Sequence, residues 1–412
     1  MDGGETKVKK GTAVVVGGSI AGLSCAHALT GAGWKVMVIE KSRSPPTGTP
    51  TGAGIGLDPL SQKIIETWLG ESDSLINSTL PLTIDQNQAT DCEKRMNSIL
   101  TRDEHFDFRA VHWSDLHSLL YNSLPDDIFL WGHRFVSFSI SHDKNCVNVV
   151  TEIDESGEIV EIVGDLLVAA DGCLSSIRRK FLPDFKLRYS GYCAWRGVLD
   201  FDTITDLKQA YPDLGKCLYF DLGYKTHSVL YELPRKRINW IWYINQPEPD
   251  LKGNSVTMKV SNEMIERMHE EAEKFWVPEL VRVIKETKDP FLNVIYDCEP
   301  IEQLCWDELV VLVGDAAHPT TPHGLRSTNM AINDAAILGK CIEKWGSVNN
   351  LKAGLDEYQT TRLPVVSKQV LHSRQLGRVK QGLRGDFDMK MASPDDFREL
   401  QQRNMPFFLG ST

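Results

Sequence analysis

The chain has 412 residues, enough for more than one domain, since domains commonly hold about 100–200 residues. Its formal net charge of −11 argues against nucleic acid or an anionic membrane surface as the main partner, because both attract basic patches. Nine scattered cysteines without a CxxC pair favour reduced thiols over a disulfide framework, and no metal site is predicted. With neither a secretory signal nor an apolar run of about 18 residues, the sequence predicts a cytoplasmic protein without a membrane span.

The N-terminal region predicts a dinucleotide-binding unit after a disordered polar tail at residues 1–10. An apolar strand runs into a glycine turn and a helix within Thr12–Leu29, and the next strand ends at Glu40. Ser19 replaces the middle glycine of the GxGxxG pattern, whose turn brings a pyrophosphate against the helix N-terminus. Glu40 follows Gly22 by 18 residues, close to the spacing at which a carboxylate binds a ribose hydroxyl. The residues assigned to this site are Gly17, Gly18, Ser19, Ile20, Ala21, Gly22, Glu40 and Lys41.

The next part of the chain mixes irregular segments, helices and strands. Residues 71–108 are irregular and are assigned to an excursion into a substrate domain. A helix is predicted over Ala110–Leu124, with Ser114 or Asp115 as its N-cap. Residues 128–163 alternate between apolar and polar side chains, which predicts antiparallel strands.

Residues 185–300 have a different sequence pattern, with alternating segments rich in aromatic residues. This pattern predicts an antiparallel sheet with a helical insert around 259–287. A buried strand returns at Glu308–Val313, and two helices follow over Asn329–Trp345 and about 351–380. The predicted fold class is α/β, with a Rossmann-like domain built on a parallel sheet, an antiparallel-sheet substrate domain and C-terminal helices. The predicted parts are a first domain at 11–180, a substrate-binding sheet at 181–300, completion of the first domain at 301–380 and a tail at 381–412.

Two further buried strands are followed by an acidic residue. Asp171 follows one of them, and Asp315 follows Leu309–Val313 closely. Asp315 can reach a ribose or ribityl hydroxyl, and the helix that opens near Thr328 and Asn329 can direct backbone N–H groups at an electron-rich ring edge. Together with Glu40, these strand ends predict an extended cofactor across the carboxyl edge of the parallel sheet.

The glycine turn at 17–22, the Asp-Gly pair at 171–172 and the Gly-Asp segment at 314–319 occur in this order. Over about residues 11–375, the chain therefore resembles the single-component FAD-dependent aromatic hydroxylases, which share the fold of p-hydroxybenzoate hydroxylase. A narrower resemblance is to the 2,6-dihydroxypyridine 3-monooxygenase type. It rests on the serine-containing first turn and on residues 112–116, 189–192, 195–198 and 239–243.

The resemblance implies that FAD lies across the first turn, Glu40 and the Gly-Asp segment, with Asp171 near the meeting point of the flavin and nicotinamide regions. NADPH or NADH would reduce the flavin. Reaction with O₂ would then give a C4a-hydroperoxyflavin that hydroxylates an aromatic or heteroaromatic small molecule. The substrate domain would shield this intermediate from water. A homodimer is the candidate assembly.

Two departures from the family pattern concern an arginine and a pair of glycines. Trp113 stands where the family often has an arginine, and Arg109 is assigned to that role in FAD binding. Leu325 to Ser327 replace the GQG segment, and Arg326 between them is assigned to the cofactor site and to holding a substrate anion or phenolate. The remaining cofactor-binding assignments are Asp171, Asp315, Leu325, Thr328 and Asn329.

Substrate contacts are expected from the aromatic strands. Residues two apart in a strand share a face, so Trp240 and Trp242 point one way while Ile241 and Tyr243 point the other, and one pair is expected to face the pocket. A base that removes a phenolic proton would enrich the ring, and the candidates are His227, Tyr219 and His323. The substrate-binding assignments are Arg196, Tyr231, Trp240, Trp242, Tyr243 and His323, and the catalytic ones are His227, Tyr219 and Arg326.

Three other functions stay open at this point. The same flavin chemistry supports epoxidation or oxidative rearrangement of an indole or alkene. The segment Trp240–Asn245 differs by one residue from the WxWxIP pattern of flavin-dependent halogenases, with Asn245 in place of the proline. A flavin-binding protein without turnover is the third alternative, suggested by Ser19 and by the lost glycines at Leu325 to Ser327.

Overall fold

A computed structural model describes residues 10–46, 52–70, 72–91, 93, 96–200, 207–251 and 255–383. The tails predicted at 1–10 and 381–412 lie outside these residues, except for Lys10 and residues 381–383. Within the described ranges, no helix is both long and apolar enough to cross a membrane. The same ranges contain no group of three or more His, Cys, Asp or Glu side chains arranged to hold a metal ion.

Twenty strands are assigned within the described ranges. In the first half of the chain they are β1 Thr12–Val16, β2 Lys35–Glu40, β3 Gly54–Leu57, β4 Leu80–Leu82, β5 Ile84–Asp91, β6 Met96–Asp103, β7 Phe108–His112, β8 Phe129–Trp131, β9 His133–Ile140, β10 Val147–Ile153, β11 Ile159–Gly164 and β12 Leu166–Ala169. In the second half they are β13 Arg188–Asp200, β14 Cys217–Gly223, β15 Thr226–Leu233, β16 Arg237–Asn245, β17 Thr257–Met258, β18 Phe291–Asp297, β19 Cys305–Trp306 and β20 Val310–Leu312.

Ten α-helices are assigned within the described ranges. They are α1 Ile20–Gly31, α2 Pro59–Leu69, α3 Ser72–Ser78, α4 Trp113–Tyr121, α5 Ser176–Phe181, α6 Leu207–Ala210, α7 Asn262–Phe275, α8 Pro278–Glu286, α9 Ser327–Trp345 and α10 Leu351–Lys380.

The first large sheet has the strand order β19-β20-β12-β1-β2-β8 and is parallel except for the β19–β20 pair. Its central strands, β1 and β12, are apolar and buried along nearly their whole length, as expected for a parallel sheet covered on both faces. Helix α1 packs beside α9 on this sheet. The predicted parallel sheet is confirmed, although β8, expected in an antiparallel segment, pairs in parallel with β2.

The second large sheet has the order β17-β18-β13-β16-β15-β14-β5-β6, and its neighbours are antiparallel except for β14 and β5. The predicted antiparallel sheet is therefore confirmed. The expectation that residues 71–108 are irregular is wrong, because this segment contains α3, β4 and the two strands β5 and β6 of the second sheet. Helices α7 and α8 fall where the helical insert was predicted.

Helix α10 connects the two halves of the molecule. Its first turns place Leu355 and Tyr358 in the core around the parallel sheet. Its last turns place Leu376 and Val379 in a different core, on the face of the second sheet that includes Tyr243. The Asn245 side-chain amide donates a hydrogen bond to the carbonyl of Gln381 (2.9 Å), which ties the end of α10 to β16.

Candidate active site

Two adjoining cavities follow the carboxyl edge of the parallel sheet. The smaller, of about 740 Å³, is lined by the first glycine turn, Glu40 and Asp171. The larger, of about 1270 Å³, is lined by β3, Arg196 of the second sheet and the segment that carries Asp315. Ser42, Pro46 and Trp113 line both cavities. The two cavities therefore form one extended site that leads from the first glycine turn to the second sheet.

The first glycine turn exposes the N-terminus of α1 to the smaller cavity. Gly17 has a φ of 110°, and a Cβ added there would collide with the carbonyl oxygen of Ala170, so this turn requires glycine. Ser19 is the N-cap of α1, but its side chain makes no capping hydrogen bond. The backbone N–H groups of the first helical turn have no partners within the helix, and such groups bind anions. This geometry fits a pyrophosphate.

Glu40 is fixed at the mouth of the same cavity. Its Oε2 accepts a hydrogen bond from Gly18 N (2.7 Å), while its Oε1 accepts from the N–H and hydroxyl of Ser42, both at 2.9 Å. A carboxylate has about four lone-pair positions, so acceptor capacity is left for a ribose hydroxyl. Lys41, which follows, is exposed and also lines this cavity.

Asp171 provides a further acceptor at the sheet edge. Its Oδ2 accepts hydrogen bonds from the backbone N–H groups of Ser176 (2.8 Å) and Ile177 (3.3 Å), which satisfies two donors at the start of α5. Its Oδ1 is buried and has no hydrogen-bond partner within the described ranges. Buried carboxylate oxygens are rarely left in this state, so a donor from a bound cofactor fits here.

Asp315 lines the larger cavity, where its Oδ1 accepts a hydrogen bond from the Ser327 hydroxyl (2.7 Å). The segment that carries it is held from behind by Asp334, a fully buried carboxylate. Asp334 accepts hydrogen bonds from Gly314 N (2.9 Å) and Arg362 Nε (2.8 Å), and it pairs with His318. Burial alone would raise the pKa of Asp334, but His318 and Arg362 hold it below its ordinary value.

The start of α9 forms part of the wall beside Asp315. Leu325 has a φ of 56°, in the left-handed region where glycine is favoured, and Thr328 lines the larger cavity. Asn329 is fully buried, and its amide donates to the carbonyls of Gly56 (2.9 Å) and Leu325. Its Oδ1 accepts from Asp58 N (3.1 Å), so Asn329 joins α9 to the strand that lines the cavity.

The two arginines assigned to the cofactor have different surroundings. Arg326 is buried, and its Nη1 lies 3.7 Å from Asp58 Oδ2; burial lowers the pKa of Arg326 to about 10, against the influence of Asp58. Arg109 donates hydrogen bonds to the Thr79 hydroxyl (2.5 Å) and to the Ile76 carbonyl (3.2 Å). Within the described part of the chain, Arg109 lines neither cavity, so the structure does not bring it to the predicted position.

Three of the predicted pocket residues lie on the far face of the second sheet. Trp240, Trp242 and Tyr219 belong to the core formed with α7 and α8. The indole N–H of Trp240 donates to the Thr287 hydroxyl and that of Trp242 to the Thr226 hydroxyl, both at 2.8 Å. Contrary to prediction, these three side chains are therefore not brought to the site, because the alternation of the strands turns them away from the parallel sheet.

The opposite face of the second sheet, termed here the inner face, carries Arg196, Tyr231 and Tyr243. Arg196 lines the larger cavity, and its buried Nε has no hydrogen-bond partner. The hydroxyl of Tyr231 is likewise buried without a partner. Burial raises the pKa of Tyr243, while a hydrogen bond with Arg196 opposes this shift. The inner face therefore offers polar groups that remain available to a ligand.

The predicted histidines meet at this face, where both pack against Tyr243. His227 stacks on Tyr243 with 4.3 Å between ring centroids, and His323 lies 5.2 Å from His227. The Gln381 amide nitrogen lies 3.3 Å from His227 Nδ1, and the Tyr192 hydroxyl lies 3.4 Å from His323 Nδ1. Burial lowers the pKa of both histidines well below the ordinary value.

Several residues of this region were not predicted from the sequence. Asn239, which alternates with Ile241 and Tyr243 on β16, accepts a hydrogen bond from Gly54 N (2.6 Å) through its Oδ1 and thereby joins the second sheet to β3. The period of two along β16 could have identified it. Gln381 gave no such signal, since its proximity to His227 depends on where α10 ends, and Tyr192 meets His323 only because β13 packs against the segment before α9.

A family model described as "FAD binding domain" matches residues 10–289 and 297–373 of the chain. The chain belongs to this FAD-binding family. The smaller cavity of this FAD-binding protein has the glycine turn, the carboxylate of Glu40 and the Asp171 Oδ1 without a described partner, a set of groups that suits the dinucleotide part of FAD.

Similar proteins in the FAD-binding family include monooxygenases. The "Aurachin C monooxygenase/isomerase" of Stigmatella aurantiaca is 25% identical over 408 residues, which cover 96% of this chain and 98% of the relative. The "6-hydroxynicotinate 3-monooxygenase" of Pseudomonas fluorescens is 26% identical over 360 residues, covering 86% of this chain and 88% of the relative. The solved structure of 2,6-dihydroxypyridine-3-hydroxylase from Arthrobacter nicotinovorans shares the fold, with a TM-score of 0.78, 22% identity, and coverage of 93% and 95% of the two chains.

Proposed function

We propose that the chain is an FAD-dependent monooxygenase that uses NADPH or NADH and O₂ to hydroxylate an aromatic or heteroaromatic small molecule. The observation that carries the proposal is the extended site, which runs from an anion-binding helix N-terminus to a cavity beneath the inner face of the second sheet. The relatives support it, since their names describe monooxygenases, one of them acting on 6-hydroxynicotinate.

The residues of the smaller cavity would hold the dinucleotide part of FAD. The N-terminus of α1 would bind the pyrophosphate, and Glu40 would accept hydrogen bonds from a ribose hydroxyl. Asp171 and Asp315 would accept from further cofactor hydroxyls, because both line the extended site. Bound FAD would supply the redox chemistry by which electrons from NAD(P)H activate O₂.

The inner face would bind and orient the substrate. The buried Arg196 Nε and the Tyr231 hydroxyl have no hydrogen-bond partners among the described residues, so a substrate oxygen could bind to them. The packed aromatic side chains around them exclude water, which strengthens such hydrogen bonds. His227 and His323 pack against Tyr243 of this face and would be candidates to exchange a proton with a ring hydroxyl.

The experiment uses the purified chain loaded with FAD. A screen of phenols, hydroxypyridines and indoles is expected to contain compounds that stimulate both NAD(P)H oxidation and O₂ uptake, with a product that has gained one oxygen atom. Mass spectrometry and NMR of the product would distinguish hydroxylation from epoxidation or rearrangement, and halide dependence would reveal a halogenase. The absence of flavin on purification, together with no flavin binding on titration, would refute the proposal.

A further inference from the structure

A third cavity, termed here the far-face cavity, lies on the side of the second sheet that carries Trp240 and Trp242. It has a volume of about 590 Å³ and lies between the sheet and helix α7. Trp195 of β13 and Trp242 of β16 line it from the sheet, where both belong to the core formed with α7 and α8. The far-face cavity is thus bounded by the side of the sheet that points away from the cofactor site.

Two methionines and a phenylalanine of α7 form the opposite wall. Met264, Met268 and Phe275 line the cavity, and their spacing of four and seven residues places them on one side of the helix. Met268 is buried, whereas Met264 and Phe275 are only half-buried. Methionine side chains adapt readily to the shape of a neighbouring group. Helix α7 therefore has an apolar side that the sheet covers only in part.

Apolar groups dominate the interior of the far-face cavity. The indole N–H of Trp242 donates to the Thr226 hydroxyl (2.8 Å), which also belongs to the lining. Among the described residues of the lining, none has a buried side-chain donor or acceptor without a partner. The charged residues Lys225, Arg267 and Glu271 are exposed or half-buried, so they lie at the mouth. Such an interior favours a hydrocarbon group over a polar one.

Met258 connects the far-face cavity to the larger cavity of the extended site. It lies on β17, an edge strand of the second sheet, and lines both cavities. Its partner on β18 is Leu292, and directly opposed residues share a face of the sheet. The neighbouring Thr257 lines the larger cavity and accepts a hydrogen bond from the Asn293 amide (2.6 Å). The two cavities therefore meet around the edge of the sheet at β17.

The larger cavity itself extends from the inner face toward this edge. Its lining runs from Arg196 on β13 to Phe291, the residue that pairs with Arg196 on β18. It also includes Val260 and Ile265, which pack against the core on the far face. Three charged residues of this part of the lining are exposed: Lys259, Lys288 and Asp289. A ligand group that begins at Arg196 therefore follows apolar side chains toward β17.

We propose that the far-face cavity binds the hydrocarbon side chain of the substrate, so that the preferred substrate is an aromatic compound with a long alkyl chain. The ring would lie at the inner face, near the Arg196 Nε and the Tyr231 hydroxyl, and the chain would pass Met258 into the far-face cavity. This inference rests on the proposed function and extends it, because it names the substrate class and assigns a second cavity to it.

The binding test compares 4-methylphenol, 4-propylphenol and 4-hexylphenol by calorimetry on the FAD-loaded protein. Each methylene group that leaves water strengthens binding about two- to threefold, so 4-hexylphenol should bind about 100-fold more tightly than 4-methylphenol. 4-Propylphenol should lie between them. An affinity that does not rise with the length of the chain would overturn the inference.

Two glutamate variants distinguish the far-face cavity from other apolar surface. Met264→Glu places a charge in this cavity, and Met258→Glu places one where the two cavities meet. In each variant, the ratio of the affinities for 4-hexylphenol and 4-methylphenol should fall about tenfold. Met96→Glu, at an exposed position of β6 on the opposite edge of the sheet, is the matched control and should keep the wild-type ratio. A wild-type ratio in both cavity variants would contradict the inference.

Methyl NMR of the methionines, labelled with ¹³C, detects occupation of the cavity without turnover. Single replacements by leucine would assign the signals of Met258, Met264 and Met268. 4-Hexylphenol should shift all three signals and leave that of Met96 in place, whereas 4-methylphenol should not shift those of Met264 and Met268. Unshifted Met264 and Met268 signals with 4-hexylphenol would overturn the inference, whether or not a compound is hydroxylated. Shifted signals without hydroxylation of any compound would instead count against the proposed function alone.

Discussion

Replacement of Asp334 by asparagine should destabilise the protein and weaken FAD binding together. Asp334 is fully buried and bonds Gly314 N, Arg362 Nε and His318, so loss of its charge leaves the buried Arg362 guanidinium without a counterion. Removal of one partner of a buried pair commonly costs about 3–5 kcal/mol, and we expect about 3 kcal/mol here because asparagine retains an acceptor. Urea unfolding followed by fluorescence measures the free energy of unfolding, and flavin titration measures FAD affinity.

The pH dependence of stability gives the same prediction a second check. The pKa of Asp334 lies below its ordinary value in the folded protein, so its contribution is present above about pH 4 and is lost as the pH falls further. In Asp334→Asn, the free energy of unfolding should no longer show this decrease below about pH 4. In Asp356→Asn, at an exposed position of α10, the decrease should remain. The double variant Asp334→Asn/Arg362→Met should lose less free energy of unfolding than the sum of the losses in the two single variants. A loss below 1 kcal/mol in Asp334→Asn, or strict additivity, would refute the reasoning.

Three other variants test separate parts of the site. Glu40→Gln should weaken FAD binding about tenfold in flavin titrations, because it removes a charge-assisted acceptor held by Gly18, and unchanged affinity would contradict the assignment. Arg196→Met should raise the KM of a stimulating substrate about tenfold with normal FAD content, whereas a loss of FAD would place Arg196 at the cofactor instead. Trp240→Phe should cost about 1 kcal/mol of stability through its lost hydrogen bond to Thr287, and a changed KM would show that it reaches the substrate after all.

The main architecture could be predicted because strongly apolar strands and glycine turns are local signals. The strand and turn before α1 are buried and regular, and the long helices α9 and α10 begin and end close to the predicted positions. The predicted helix over Ala110–Leu124 begins later, at Trp113, because residues 108–112 form β7. His112 rather than Ser114 or Asp115 is the N-cap, and its side chain accepts a hydrogen bond from Ser114 N.

Strand β5 could not be recognised because its side chains are polar. Gln86, Asn87 and Gln88 are all buried, but periodicity analysis treats such residues as loop. Gln88 donates a hydrogen bond to Asp221 on β14 (2.5 Å), and Asn87 donates one to Thr101 on β6 (3.2 Å), so both depend on neighbouring strands. Only the assembled sheet supplies these partners.

The candidate site was predictable in its cofactor part and less so in its substrate part. Alternation correctly separated Trp240 from Tyr243, but the choice of inner face depends on how the sheet packs against α8 and α10.

Oxygen-isotope incorporation tests directly whether the protein is a monooxygenase. The FAD-loaded protein is supplied with NAD(P)H, ¹⁸O₂ and an aromatic compound that stimulates NAD(P)H oxidation, and the product is analysed by mass spectrometry. A monooxygenase would give a hydroxylated ring that contains one oxygen atom from O₂. A product without label, or NAD(P)H oxidation that yields only hydrogen peroxide with every stimulating compound, would contradict it.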